Sequence, residues 1–144
     1  MAERQRFLAA TTATVVATRG NVWALWADVN GWTSWNSGVK ASRLNGNFKT
    51  GSTFDLTLQD GLTAVGTITE ISQGEGFTDE TPMTFGLIRN DHRMRMFGDL
   101  VVITHRVEAD VEAEAVAEFG TGIWPTMQAS LSESLAELVD LAAD

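Results

Sequence analysis

The spacing of apolar and polar positions changes period several times along the chain, and each change marks an element. Phe7–Ala17 is rich in Thr, Val and Ala and predicts a first strand, with residues 1–6 expected to fray. The stretch Asn21–Asn36, NVWALWADVNGWTSWN, then holds four of the five tryptophans. Val22, Trp23, Leu25, Trp26 and Val29 fall at helical spacing, with Asn21 a candidate N-cap and Asn30-Gly31 a stop. Trp32 and Trp35 follow three residues apart, one face of a second helical turn.

A run of strand signals comes next. Val39–Phe48 reads as a strand with Asn45-Gly46 as a bulge or turn, and Ser52–Gln59 alternates with Phe54, Leu56 and Leu58 on one face. Asp60-Gly61 predicts a two-residue hairpin into Leu62–Ser72. Phe77–Thr81 follows a glycine-rich turn and should end at Pro82, which cannot donate into a ladder. Thr84–Phe97 and Leu100–Ala109 flank Gly98-Asp99. From about residue 111 to 143 the chain turns helical. Met127, Leu131, Leu135 and Leu138 form the apolar stripe, and Gly120, Gly122 and Pro125 predict a break near 120–125. The order is β-α-α-β6-α, one α+β domain over residues 1–144. Seven antiparallel strands need one face covered, and the C-terminal helix is the cover.

The last hairpin places the two histidines. If Gly98-Asp99 is a two-residue loop, Phe97 meets Leu100, Met94 meets Ile103 and His92 meets His105. Both imidazoles then share the covered face with Met94, Met96, Val101, Ile103 and Val107. Arg93, Arg95, Arg106 and Glu108 take the solvent face, as does Arg89 by parity. Asn90 falls on the histidine face, and only one of Asp79 and Glu80 can point inward. Two readings of the histidines stand side by side. They are a structural hydrogen-bonded pair, or, since neighbouring imidazoles resist double protonation, one is a neutral general base.

Composition narrows the function classes. At 144 residues, with 44% hydrophobic and 20% charged residues, the chain is of single-domain size and globular composition. A net charge of −9 opposes nucleic acid and anionic membrane as partners. No apolar run is long enough to insert in a bilayer, so a cytoplasmic location is expected. The sequence has no cysteine and no tyrosine, which removes thiolate and phenol chemistry. No nucleotide-binding loop, dinucleotide fingerprint or nucleophile elbow is present, and two histidines fall short of a typical zinc set. No cofactor and no metal are expected. The acidic run Glu108, Asp110, Glu112, Glu114 and Glu118 reads as a solvated edge.

The tryptophan stretch, as V-W-x-L-x-x-D-V-x-x-W-x-x-W-N, resembles the opening signature of the START-like (SRPBCC) superfamily, which groups lipid-transfer proteins, birch-pollen-allergen relatives and polyketide cyclases/dehydratases. Gly46–Ser52, Gly66–Ile71, Gly76-Phe77, His92–Met94 and Thr104–Glu108 resemble later family segments in the same order. The resemblance implies a helix-grip fold, a curved sheet wrapped on a long C-terminal helix around a hydrophobic cavity. Within such a cavity, position on the predicted elements makes Trp26, Trp32, Trp35, Phe54, Phe77, Asn90, Met94, Ile103, Trp124, Met127 and Leu131 the candidate ligand contacts, and an activity resembling the polyketide cyclases would make His92 or His105 the catalytic base. The expected partner is a hydrophobic, cyclic or aromatic small molecule, bound by a monomer or homodimer. Three functions remain open: a polyketide cyclase/dehydratase-like enzyme, a non-catalytic lipid or metabolite carrier, and a protein-interaction domain like the related chaperone activators.

Overall fold

The computed structural model describes residues 3–143. Seven strands make one antiparallel sheet: β1 (Gln5–Val16), β2 (Val39–Asn45), β3 (Thr53–Leu58), β4 (Thr63–Ser72), β5 (Gly76–Met83), β6 (Gly86–Phe97) and β7 (Leu100–Val111). Their order across the sheet is β1-β7-β6-β5-β4-β3-β2. Strands β2 to β7 are a meander of neighbours, and β1 joins the far edge by pairing with β7. Helix α1 (Arg19–Ala27) and a 3-10 helix (Val29–Ser34) link the two edge strands. After β7 come a short 3-10 turn (Ala113–Ala115), one α-turn, α2 (Val116–Glu118), a π-helical segment (Phe119–Ile123) and the long helix α3 (Trp124–Ala142). This is the curved-sheet, long-helix arrangement of a helix grip.

Several boundaries differ from the sequence reading, each for a local reason. Residues 1–2 lie outside the described residues, but Gln5 and Arg6 do not fray; they pair with Val111 and Asp110. Helix α1 is capped by Thr18 rather than Asn21. The Thr18 side chain accepts from the Asn21 backbone N–H, so Asn21 is already inside the first turn. The helix also stops at Ala27, before Asn30-Gly31. Pro82 does not end β5, which continues through it opposite Leu87. The β3–β4 loop has three residues, not two: the Leu58 N–H donates to Leu62 O, and Gly61 takes the left-handed φ of +89°. Val111 belongs to β7, so the helical region starts two residues late. The break expected at 120–125 is the π-helical segment at 119–123, with Pro125 in the first turn of α3.

The last hairpin has the two-residue loop. Gly98 sits at φ +64°, Phe97 pairs with Leu100, and His92 faces His105. On the convex face Arg89 donates to both Glu80 and Glu108, and Arg6 adds a second ion pair to Glu108 at 3.0 Å. Glu108 is therefore buried among arginines rather than solvated, while Asp110 and Glu112 hold Arg4.

The core has two parts. One gathers Trp26, Trp32, Trp35, Phe54, Phe77, Met94 and Ile103 with Leu135 and Leu138 of α3. The other gathers Ile88, Val107, Val111, Phe119 and Trp124, with Phe7 and Phe85 packed against them. Gly66 shows how tightly the first part is packed. It pairs with Phe54 across the β3–β4 ladder, and the fully buried Phe54 ring lies where a Cβ at 66 would stand. Gly66→Ala should therefore cost ~1–3 kcal/mol through overpacking, read as a lower urea midpoint with unchanged slope. An unchanged midpoint would show that the Phe54 ring is free to move aside.

Candidate functional site

Between the two core parts lies a cavity of about 650 Å³. Its apolar wall comes from Trp32 and Trp35 of the 3-10 helix region, Phe54 and Leu56 of β3, Met83 and Ile88 of β5 and β6, and Met127 and Leu131 of α3. Strand alternation puts Phe54, Leu56, Met83 and Ile88 inward, and the aromatic and thioether groups give an adaptable surface. The polar wall is built where β5, β6 and β7 run side by side. It consists of Asp79 and Thr81, then Asn90 and His92, then His105.

The two imidazoles are held from below. The Trp26 indole N–H donates to His105 Nε2 at 3.2 Å, so the proton of the neutral His105 ring is on Nδ1. His92 Nδ1 lies 3.3 Å from the Phe77 carbonyl, which can only accept, so Nδ1 carries the proton and Nε2 is an open acceptor. The Phe77 ring stacks on His92 at 4.0 Å between centroids, and the two imidazoles meet edge to face at 4.9 Å. Among the described residues no fully enclosed side-chain N or O lacks a partner, and both rings border the cavity. Desolvation pushes the His92 imidazolium down to about 3 and His105 well below its usual value. Both rings are neutral at ordinary pH, one presenting an acceptor and the other a donor.

Asp79 is the inward member of the Asp79–Glu80 pair. Glu80 goes to Arg89 on the convex face, while Asp79 is 2% exposed and accepts one hydrogen bond, 3.2 Å, from the Asn90 side-chain N–H. Among the described residues no cation reaches it. Burial raises this carboxyl to about 7, with smaller contributions from Glu80 and Asp91, and the Asn90 bond opposes the rise. Sequence parity could have found it, because Asp79 lies two residues from the inward Phe77.

The residues named from the sequence fall into two groups. Trp32, Trp35, Phe54, Asn90, His92, His105, Met127 and Leu131 line the cavity together. Trp26, Phe77, Met94 and Ile103 do not; they are buried behind the lining, in the first core part. Trp124 packs against Phe7 at 5.5 Å and Phe119 at 5.8 Å in the second part. Sequence reasoning missed a second polar edge. There the Ser37 N–H donates to Ser134 Oγ, Ser37 Oγ shares a 2.9 Å bond with Ser130 Oγ, and Asn36 accepts from the Gly38 N–H. The two Ser37 bonds tie the segment after the 3-10 helix to α3.

No protein-family model matches the chain, and a search of curated proteins found no match. Solved structures do match in fold. The chain is similar to a point mutant of norcoclaurine synthase from Thalictrum flavum in complex with a transition-state analogue. Identity is 14%, with 96% of this chain and 97% of that one covered and a TM-score of 0.72. It is similar to the di-domain ARO/CYC StfQ of the steffimycin biosynthetic pathway at 13% identity and TM-score 0.77, covering 95% of this chain and half of that one. It is also similar to Ara h 8.0201 at 10% identity, with 94% and 99% covered and a TM-score of 0.68. The chain has the START-like helix-grip fold. Among the described residues no helix is long and apolar enough to cross a membrane.

Asp79 makes stability depend on pH with a definite sign. Its folded value of about 7 lies above the ordinary 3.8, so the unfolded chain ionises first and stability is lost as pH rises from about 4 to about 7. Asp79→Asn should therefore raise stability by ~1–3 kcal/mol at pH 8 and change it little at pH 4, compared by urea unfolding at both values. The histidines act oppositely: stability held above the usual imidazole value is lost as pH falls from about 6.5 toward about 3.

Proposed function

We propose that this START-like helix-grip domain binds a hydrophobic, cyclic or aromatic small molecule in its cavity, in the manner of a polyketide cyclase/dehydratase. The observation that carries the reading is the cavity itself. A space of about 650 Å³ stays open between two packed core parts, apolar along most of its wall and polar at one end. That is the size and chemistry of a small-molecule site. The similarity in fold to an ARO/CYC protein and to norcoclaurine synthase supports it.

The polar end suits a ligand with carbonyl or hydroxyl groups. His92 Nε2 accepts a hydrogen bond and His105 Nδ1–H donates one, so a neutral oxygen function is satisfied there without a charge. A bound carboxylate would meet Asp79 instead and be repelled. Both imidazoles are too weakly basic to remove a proton near neutral pH, so we assign them to orienting the ligand rather than to catalysis. An intramolecular aldol or dehydration step would gain from the cavity mainly by folding a flexible substrate into reacting geometry.

The carrier reading shares the same cavity and lacks only the chemical step. The protein-interaction reading has less support. On the convex face the exposed Leu8 and Val65 lie on separate strands, and Val16, Leu100 and Phe97 form a small cluster at one end of the sheet.

Tryptophan-fluorescence titration with 2-naphthol tests binding, since Trp32 and Trp35 line the site. Saturable quenching is expected, and Ala64→Phe, which projects a ring into the cavity, should weaken it by roughly tenfold or more while leaving far-UV circular dichroism unchanged. No quenching by 2-naphthol, or identical affinity in Ala64→Phe, would remove the cavity as the binding site.

A further inference from the structure

We infer that Asp79 is the proton-transfer residue of this cavity, acting on a ligand that carries an enolisable carbon beside a carbonyl. The inference rests on the cavity being a ligand site, and it names the substrate class: a neutral di- or polycarbonyl compound with an aromatic or cyclic body.

Among the described residues Asp79 is the one acidic side chain that is both buried and in the cavity wall. Glu133 of α3 and Asp60 of the β3–β4 loop also border the space but are exposed. Asp91 is turned to the convex face, where it accepts from Thr78 and Arg93. Arg106 belongs to that face by strand parity. His92 and His105 are neutral, and the lining holds no Lys, Cys or Tyr. Around Asp79 itself stand Asn90 on β6 and Ile68 on β4, with Val107 beyond Asn90 on β7, so among the described residues no positive charge flanks it in the sheet.

A carboxyl this buried, with a single neutral hydrogen-bond partner, destabilises the fold when ionised. Packing does not require an acid at this position, since an amide of the same shape would fill it. Burial instead brings its ionisation into the range where a group both accepts and returns a proton at neutral pH.

Asp79 pairs with Asn90, one inward position along β6 from His92, so carboxyl and imidazole sit on diagonal sites of neighbouring strands, roughly 7–8 Å apart at the backbone. In the proposed pose the ligand's carbonyl oxygen lies at the histidine pair and the adjacent carbon lies toward the Asp79 carboxylate, both of which line the same cavity. The ionised Asp79 takes a proton from that carbon. The C–H bond breaks, its electron pair becomes the enolate, and an O–H bond forms on the carboxyl. The enolate carbon attacks a second carbonyl carbon of the same molecule and forms a C–C bond. The second carbonyl's π pair moves to its oxygen, which takes the proton back from Asp79. The product is an isomer of the substrate, and no oxidant, reductant or co-reactant is consumed.

The first half of this step is measurable with a simple probe. In D₂O, 2-tetralone, an aromatic cyclic ketone, should bind with tryptophan quenching and exchange its α-hydrogens faster than in buffer, followed by ¹H NMR. The rate should rise with pH through about 7 and then level, because the ionised carboxylate is the active form. Asp79→Asn should lose roughly 100-fold of the protein-dependent rate and bind 2-tetralone within about threefold of the parent. Asn90→Leu removes the bond that favours the ionised form, so its rate profile should move to higher pH, a change that a purely structural role for Asp79 would not produce. Quenching without exchange above buffer, or full exchange in Asp79→Asn, overturns the assignment of Asp79 and leaves the ligand site standing. Absence of both quenching and exchange overturns the ligand site and this inference together.

Discussion

The buried bond from the Trp26 indole N–H to His105 Nε2 is the contact on which the rest of the site depends. It joins the helix that follows β1 to the middle of β7, and it does so between two groups that would each be costly to bury unpaired. Once made, it fixes the His105 tautomer, seats His92 against Phe77 and sets the floor of the cavity. Trp32 extends the same logic, donating to the Trp26 carbonyl at 2.9 Å, so the helix and the 3-10 turn are locked to each other before they meet the sheet.

Much of this was legible in the sequence because strand parity is a strict period of two. Gly98-Asp99 set the last hairpin, and from it followed the facing histidines, the inward Asn90 and the outward Arg89. The tryptophan stretch was recognisable as the covering element, and the element order matched the helix grip. What parity cannot supply is depth. Trp26, Phe77, Met94 and Ile103 point inward as read, yet they lie behind the cavity wall, because the sheet's curvature and helix α1 decide which inward side chains reach open space. Trp124 was misplaced for a related reason: the π-helical segment before it adds a residue to the turn and directs the ring toward Phe7.

Small polar residues were the other blind spot. Ser37, Ser130 and Ser134 look like any solvated positions, and only the approach of two distant segments turns them into a clasp at the cavity edge. Asp79 was a narrower miss, since its parity with Phe77 was available. Its burial was not, because an acid beside Thr and Phe residues on a strand is commonly solvent-facing, and here the neighbouring Glu80 took that place through Arg89.

The sheet order also constrains when the molecule can form. Strand β1 is made first but pairs only with β7, from Gln5 opposite Val111 to Val16 opposite Leu100. A chain emerging from the ribosome would carry β1, with Leu8 and Val15, unpaired until more than two thirds of the domain had been synthesised. Such long-range closure slows folding and leaves an apolar strand edge open in the meantime. The threonines that interrupt β1, at positions 11, 12 and 14, fit that interval, because they keep the waiting segment soluble without lowering its strand propensity. The same strand that closes the native sheet is thus also the one whose composition must suit life before the sheet exists.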